Sequence, residues 1–369
     1  MSVSAGTVTL RGAALDYVDH REDPQAWADA LGVSRAAVDL YLASDVVDLH
    51  TDTFLWTRVV PGYDVRRRGR PLLPNTPVAN QADLPRVREA ALTGIVWDIV
   101  TNPWRDYGSK DEVTLANIKE IVDTLAHYPD EYTVCRTASE YDRAKARGTT
   151  ASFISMQGGN GLARSLDSHD KLPAELVHRI TVVHMTPSKI GWPNSSPVTA
   201  DKPLTEFGRS FVQKMQDKRI LVDLSHINRG GFWDALAVTD STIPPIVTHT
   251  GLSGVKPLWR NIDDAQVCAI AERGGTVGIV FNTYFLAGVF SARVADLVRH
   301  IVHGVKVAGE DHVSLGSDYD GGIWLPRDLP DITYQPRIVQ EMLDQGLTER
   351  QCQKVLGENF LRVLREVRP

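Results

Sequence analysis

The residues of this chain that are best suited to chemistry are histidines and carboxylates that follow short apolar segments. Seven polar residues stand at the ends of six such segments: His50 and Asp52, Gln157, His184, His226, His249 and Asp318. His50 and Asp52 are separated by one residue, so on an extended strand their side chains face the same way. Burying so many polar groups without a cation would leave donors and charges unpaired, so the set predicts a metal site.

The residue types indicate which metal and which chemistry. Imidazole and carboxylate ligands together favour zinc or a similar divalent ion. The three cysteines, Cys135, Cys268 and Cys352, lie far apart without CxxC spacing, so neither a thiolate site nor a disulfide framework is indicated. A site without cysteine ligands is typical of catalysis with an open coordination position, and hydrolysis is the natural reaction. Asp318 is the candidate general base and proton shuttle, and the alternative is that it is only a metal ligand.

The elements that would position these residues are eight short β-branched segments separated by longer charged stretches. The predicted strands are 46–50, 94–100, 152–156, 180–184, 220–225, 245–249, 276–281 and 313–317. Helix-compatible stretches between them include 111–127, 205–218, 263–273 and 292–307. The segment DLHTDTFLW is not the Gly-rich loop of an open doubly wound sheet. This alternation of eight strands with helices predicts an α/β fold, a (β/α)8 TIM barrel. The chemistry of such a barrel lies at the carboxyl ends of the strands.

Strand alternation gives a further prediction about which side chains face the barrel interior. The predicted inward sets are Val182 with His184, Val222 and Leu224 with His226, and Val247 with His249. On this phase, four histidines converge on one rim of the barrel.

The two ends of the chain frame the barrel. Residues 1–44 are predicted to form an N-terminal helical extension, with Ser34 as a helix N-cap, and residues 45–369 to form the barrel domain. Thr348 and Gln351 match a capping box that opens a closing helix over 349–356. A second apolar stretch, NFLRVLREV, follows Gly357.

Composition excludes several classes of function. The formal net charge is -6 and the pI is about 6.0, which gives no basic field for nucleic acid or an anionic membrane. The N-terminus lacks a signal-peptide pattern, and no segment approaches the ~20 apolar residues that span a bilayer. We therefore expect a cytoplasmic protein with no nucleic-acid or membrane partner.

Several motifs, taken in order, resemble the renal or membrane dipeptidase family of metallopeptidases in the amidohydrolase superfamily. They are DLHTDTFLW, MQGGNG, VVHMTP, LVDLSH, VTHTGLSGVKPLWRNI, LGSDYDG and GENFLRVL, and the similarity covers about residues 46–366. The resemblance implies a zinc pair in a (β/α)8 barrel that cleaves dipeptides and similar small amides. It also suggests a homodimer.

The same resemblance implies a role for each site residue. His50 and Asp52 would bind one metal, and His226 and His249 the other. His184 would polarise the scissile carbonyl and stabilise the oxyanion. Arg260 would bind the carboxylate of a small-molecule, dipeptide-like substrate, which suits a planar guanidinium. Asp318 would handle the proton and the free amine of the substrate.

Gln157 departs from the family pattern, which has a glutamate that bridges both metals. An amide offers one weak oxygen donor and a nitrogen that cannot ligate. Two dications ~4 Å apart repel by on the order of 20 kcal/mol at an effective dielectric near 20, so the site needs anionic charge between them. We therefore expect at most one firmly held metal, zinc, with a second weak or absent.

Three functions follow from these residues. The first is a metal-dependent hydrolase of dipeptides or small amides that tolerates Gln157. The second is a repurposed biosynthetic tailoring enzyme with one metal or none, in which His184 and Asp318 act as acid and base on a carboxylate-bearing molecule. The third is a non-catalytic binding protein that keeps the pocket alone.

Overall fold

A computed structural model describes residues 14–69, 79–102, 107–173, 175–195 and 197–369. It contains nine parallel strands in the described part of the chain. They are β1 (Val47–Thr51), β2 (Gly94–Val100), β3 (Tyr132–Val134), β4 (Thr150–Gln157), β5 (Val177–Thr181), β6 (Leu221–Asp223), β7 (Val247–Thr250), β8 (Val277–Ile279) and β9 (Val313–Leu315). Eight of them match the predicted segments, and β3 is an addition that the sequence did not reveal.

The strands form a closed barrel. Hydrogen-bonded neighbours run β1-β2-β4-β5-β6 in one sheet and β7-β8-β9 in another, while the short β3 pairs beside β4. Two parallel bridges close the seams, one between Asp223 and Ile246 and one between Thr51 and Tyr319. The eight barrel strands thus follow one another around the barrel in chain order, as the predicted (β/α)8 barrel requires. Because all strands are parallel, their carboxyl ends meet at one mouth.

Helices cover the outside of this barrel. In the described residues they are α1 (Pro24–Leu31), α2 (Arg35–Ala43), α3 (Trp56–Val59), α4 (Leu84–Glu89), α5 (Tyr107–Ala126), α6 (Ala138–Ala146), α7 (Glu206–Asp217), α8 (Arg229–Val238), α9 (Asp264–Glu272), α10 (Thr283–Leu286), α11 (Val294–Ala308), α12 (Pro336–Asp344), α13 (Glu349–Gln353) and α14 (Asn359–Val367). The four predicted helical stretches correspond to α5, α7, α9 and α11. Among these helices, none is long and apolar enough to cross a lipid bilayer.

The N-terminal helices lie against the barrel. Residues 1–13 of the predicted extension lie outside the described residues, and α1 and α2 account for much of the remainder. Ser34 caps α2 as predicted, because its hydroxyl accepts a hydrogen bond from the Ala37 amide. Trp27 and Tyr41 are buried, and the Tyr41 hydroxyl donates to the Ala90 carbonyl at 2.7 Å. This apolar burial holds the two helices to the rest of the chain.

The C-terminal helix is longer than predicted. The capping box of Thr348 and Gln351 is present, but α13 does not end near residue 356. It continues through a π-helical segment, Lys354–Glu358, directly into α14. The insertion of one wider turn brings Gly357 against the Asp45 carbonyl, where a Cβ would stand at 2.5 Å, so the glycine marks a close approach and not a break.

The predicted inward phase of three strands is wrong. The Thr181 and Thr248 hydroxyls both donate to Asp223 Oδ2 inside the barrel. Val182, Val222, Leu224 and Val247 therefore face the other way. Those four residues belong to the apolar cluster that also contains Trp27 and Met342 from the covering helices. Both faces of a barrel sheet are covered, so an apolar side chain is as well buried facing the helices as facing the interior.

Candidate metal-binding active site

The predicted ligand residues converge at the mouth. His50 Nε2 lies 3.4 Å from Asp52 Oδ1 and 3.5 Å from Asp318 Oδ1. His226 Nε2 lies 2.8 Å from His249 Nε2, and the rings of His50 and His249 stack with centroids 3.9 Å apart. His50, His249 and Asp318 each offer a ligand atom within 4.8 Å of the others. Four of the predicted strand ends therefore meet in one buried cluster.

Gln157 ends β4 inside this cluster. Its amide nitrogen lies 3.0 Å from His50 Nε2 and 3.4 Å from His226 Nε2, so it sits between the two imidazoles. Its Oε1 is buried and has no hydrogen-bond donor among the described residues. Gly158 follows with φ 109°, and a Cβ there would stand 3.1 Å from the Cβ of His184. The glycine therefore lets the chain turn beside His184 directly after Gln157.

Strand alternation alone does not bring the histidines together. β5 ends at Thr181 and β6 at Asp223, so His184 and His226 each lie three residues beyond a strand. His226 and Asp318 both have φ 65°, a left-handed conformation that non-glycine residues rarely adopt. This backbone redirects their side chains toward the mouth, and such strain is typical of functional sites.

His184 stands at the edge of the cluster. Its ring is perpendicular to that of His226, with centroids 4.6 Å apart. It also lines a cavity of about 480 Å³ bounded by residues of the segment after β1, the end of β2 and α5. His184 thus connects the ligand cluster with a space that is large enough for a small molecule.

Arg260 is a buried cation beside the cluster. It is 2% exposed, and its Nη2 donates to the His249 carbonyl at 3.2 Å. Its guanidinium stacks over the Phe285 ring at 5.3 Å. Across the described part of the chain, no carboxylate forms an ion pair with Arg260, and Asp318 acts on it only through longer-range charge. A buried guanidinium without a carboxylate partner is prepared to receive one.

A layer of ion pairs fills the barrel beneath the mouth, and sequence reasoning missed it. Arg179 donates to Asp98 at 2.6 and 2.7 Å and to Asp223 at 2.7 Å, and all three side chains are fully buried. β5 does not neighbour β2 or β1, yet Arg179 also reaches the Leu49 carbonyl, so these contacts cross the interior. The available signal was a charged residue inside an apolar strand, as in GIVWDIV and ILVDLS.

Burial and neighbouring charges set the protonation of the site. Burial lowers the pKa of His184 to about 3, with the charge of His50 as the next cause, and lowers the pKa values of His226 and His249 well below the ordinary value. Burial also raises the pKa of the Asp52 carboxyl to about 7 and shifts the Asp318 pKa in the same direction. Neutral imidazoles with free lone pairs and buried carboxyls are the protein's part of a metal site.

His50 differs from the other histidines. Burial alone would lower its pKa, but the negative charges of Asp98 and Asp52 raise it well above the ordinary value. The Asp98 carboxylate lies 3.0 Å from His50 Nδ1, which leaves Nε2 directed at the mouth. The mouth therefore favours a positive charge at the position next to His50 Nε2.

These residues fit a divalent cation. The donor set consists of imidazoles and carboxylates, the Nε2 atoms of three histidines face a common region, and Gln157 Oε1 lacks a partner among the described residues. Such donors suit zinc, and each histidine with a fixed Nδ1 partner presents Nε2 as a ligand atom. His50, Asp52, His226, His249, Asp318 and, more weakly, Gln157 could hold the metal.

Known proteins are similar to this chain over most of its length. Residues 34–369 match the family model of membrane dipeptidase, peptidase family M19. An uncharacterized protein in the pqqA 5' region of Klebsiella pneumoniae is 30% identical over 262 residues, which is 69% of this chain and 94% of that protein.

Two solved metallopeptidase structures have the same fold. The M19 dipeptidase AC superposes with a TM-score of 0.77 at 27% identity, covering 87% of this chain and 98% of its own. A metallopeptidase from Rhodobacter sphaeroides, solved with a phosphinate mimic of the dipeptide L-Ala-D-Ala, has a TM-score of 0.78 at 26% identity and covers 88% and 99%. By family model, relatives and fold, this chain is a member of the membrane dipeptidase family, peptidase family M19.

Proposed function

We propose that this chain is a metal-dependent hydrolase of dipeptides or similar small amides that have a free carboxylate. The observation that carries the proposal is the convergence of three imidazoles and two carboxyls at the barrel mouth beside Arg260, a buried cation without a carboxylate partner in the described chain. When bound, a divalent cation supplies Lewis acidity and activates water for attack on an amide.

Arg260 binds the substrate's terminal carboxylate in this proposal. Its pKa is lowered by burial to about 10, so it is still charged at neutral pH. A charge-assisted, two-point contact with a carboxylate would satisfy the orphaned Nε of Arg260 and orient the amide at the mouth.

His184 stabilises the oxyanion that forms during hydrolysis. Because its pKa is near 3, the ring is neutral at working pH and donates one N–H without giving up a proton. Its place between the ligand cluster and the 480 Å³ cavity lets the scissile carbonyl lie against the imidazole while the rest of the substrate occupies the cavity.

Asp318 moves the proton. Its Oδ1 lies 3.5 Å from His50 Nε2, inside the cluster, and its left-handed backbone directs the carboxylate there. From this position it can accept a proton from the attacking water and give it to the leaving amine. The same carboxylate can hold the free amine of a dipeptide by an ion pair.

The metal content that we propose is one firmly held zinc. Gln157 occupies the position between His50 and His226 and carries no charge, so nothing there offsets the repulsion of a second dication. The layer beneath contributes one net negative charge, since Arg179 faces two carboxylates. That charge supports a single cation.

The test is hydrolysis of a dipeptide panel by dialysed, zinc-loaded protein, together with elemental analysis. Hydrolysis that chelator abolishes and zinc restores is the expected result, with about one equivalent of metal retained. His127→Ala, which changes an exposed histidine, is the matched control for His184→Ala. Failure to hydrolyse any member of the panel, under metal-replete conditions, would overturn the proposal.

A second function is favoured by one observation, the neutral Gln157 at the bridging position. In it, the site acts on a carboxylate-bearing molecule by acid–base chemistry, with His184 and Asp318 in those roles. The two functions differ in how they respond to Gln157→Glu. Hydrolysis that arises only in that variant, and not in the wild type, would support the second function or a non-catalytic binding role.

A further inference from the structure

We infer that Arg179 is a positioning residue that holds two metal-site histidines, His50 and His249, from beneath the mouth. The inference rests on the proposed metal site but not on the proposed substrate. The side chains of this layer are fully buried beneath the mouth, so we expect their effect to pass through the ligands.

The first branch runs from Arg179 to His50. Arg179 Nη2 donates to both oxygens of Asp98 and to the Ser155 hydroxyl at 2.7 Å. Asp98 Oδ2 in turn lies 3.0 Å from His50 Nδ1. The carboxylate thus holds the Nδ1–H of His50, which fixes the ring plane and directs Nε2 at the mouth.

The second branch runs from Arg179 to His249. Arg179 Nη1 donates to Asp223 Oδ2 at 2.7 Å, and the same oxygen accepts from the Thr248 hydroxyl at 2.8 Å. Because the hydroxyl hydrogen is used there, the Thr248 oxygen accepts from His249 Nδ1, 2.9 Å away. His249 is therefore fixed as the Nδ1–H tautomer, with its Nε2 lone pair facing the mouth.

One guanidinium joins the two branches. Its donors are fixed in a plane, so the separation of Asp98 and Asp223 is set by the geometry of a single rigid group. Both carboxylates and Arg179 are fully buried, so bulk solvent does not reach this bridge. The orientation of His50 and that of His249 should then be coupled through Arg179.

Metal affinity tests this coupling. Competition with a chromophoric chelator would give the Zn²⁺ affinity, and the Co²⁺ absorption spectrum would report ligand geometry. We expect Arg179→Met to weaken Zn²⁺ binding by roughly 10- to 100-fold, the usual effect of losing a group that orients ligands, and Arg179→Lys to lie between it and the wild type. Arg86→Met is the matched control, since Arg86 is buried and pairs with Asp83 and Asp331, neither of which is a proposed metal ligand.

A double-mutant cycle keeps the inference testable even if Arg179→Met fails to fold. Asp98→Asn and Thr248→Val each cut one branch. If Arg179 couples the branches, the loss of Zn²⁺ affinity in the double variant is smaller than the product of the two single losses. Losses that multiply, or an equal loss in Arg86→Met, would overturn the inference.

These readouts separate this inference from the proposed function. Unchanged Zn²⁺ affinity in Arg179→Met, in a wild type that hydrolyses dipeptides, defeats only the positioning role. The expected affinity losses in a protein that hydrolyses no dipeptide defeat only the proposed substrate. A wild type that binds neither Zn²⁺ nor Co²⁺ defeats both.

Discussion

Two buried arginines in the same barrel have opposite surroundings. Arg179 lies between two carboxylates, with hydrogen bonds of 2.6–2.7 Å to both. Arg260 lies ten residues beyond the end of β7 and, within the described chain, has only a backbone carbonyl as hydrogen-bond acceptor. Replacing a paired buried charge leaves its partners uncompensated, whereas an unpaired one has no partner to lose. The first arginine therefore belongs to the fold, and the second is available to a ligand.

The ion-pair layer around Arg179, the lower layer, and the ligand cluster at the mouth, the upper layer, also differ in how well their polar groups are paired. In the lower layer, Asp223 accepts from Arg179, Thr181 and Thr248 and from two backbone amides, so its charge is well satisfied. In the upper layer, Gln157 Oε1 and Asp52 Oδ1 are buried and have no hydrogen-bond donor in the described residues. At the mouth, beside several imidazoles, such unsatisfied oxygens are positioned to take up a bound cation.

The largest expected effect is on stability, and it separates the two arginines. We expect Arg179→Met to lower the free energy of unfolding of the metal-free protein by about 3–5 kcal/mol, because Asp98 and Asp223 lose their counter-charge. Arg260→Met should change it by less than about 1 kcal/mol, since no buried partner is left behind. Urea denaturation of both variants measures this, and equal losses would contradict the assignment of the two arginines.

The next effect is on catalysis, at a residue of the upper layer. We expect His184→Ala to lower kcat by about 100- to 1,000-fold, the usual cost of removing one oxyanion donor. Its free energy of unfolding should stay close to that of the wild type, because His184 lies at the half-buried edge of the cluster. Steady-state kinetics with a dipeptide checks this, with His127→Ala as control. A variant that keeps full kcat would remove His184 from the reaction.

A smaller effect tests the carboxylate partner of Arg260. Arg260→Ala should lower kcat/KM for a dipeptide. The loss of transition-state stabilisation should be about 1.5–3 kcal/mol, the range of a hydrogen bond to a charged group. The matched substrate is the same dipeptide with a C-terminal amide, for which wild type and variant should differ little. Arg299→Ala, on the exposed side of α11, is the control variant. An equal loss with both substrates would show that Arg260 acts on the fold of the mouth.

The barrel was predictable from the sequence because its signal is repeated. Eight apolar segments at regular spacing leave few alternatives to a closed parallel barrel, and the polar residues at their ends follow from the parallel direction of the strands. The short β3 has no such signal, since three residues beside β4 do not differ from a loop.

The phase of the strands could not be predicted, for a physical reason. Alternation identifies the inner face when one face is polar, but here β6 is apolar on both sides except for Asp223, which pairs in the interior. His226 then reaches the mouth through a left-handed backbone that no periodicity predicts. The partners of Arg179 come from strands far apart in the chain, so their pairing depends on barrel closure.

The smallest change in the free energy of unfolding is expected for substitution of Gln157. Whether this substitution stabilises or destabilises the protein depends on bound metal. In metal-free protein, Gln157→Glu adds a carboxyl close to Asp52 and Asp318. We expect the free energy of unfolding to fall by only about 1 kcal/mol, because the added group can take up a proton instead of staying charged. In the presence of zinc the sign reverses, since the carboxylate can lie between two cations. Elemental analysis after dialysis should then give two equivalents in the variant and one in the wild type. Gln157→Met, which removes the amide without adding charge, should retain no more than one. Two equivalents in the wild type would mean that the neutral amide does not limit the site, and the unsatisfied oxygen of Gln157 would then be a ligand atom.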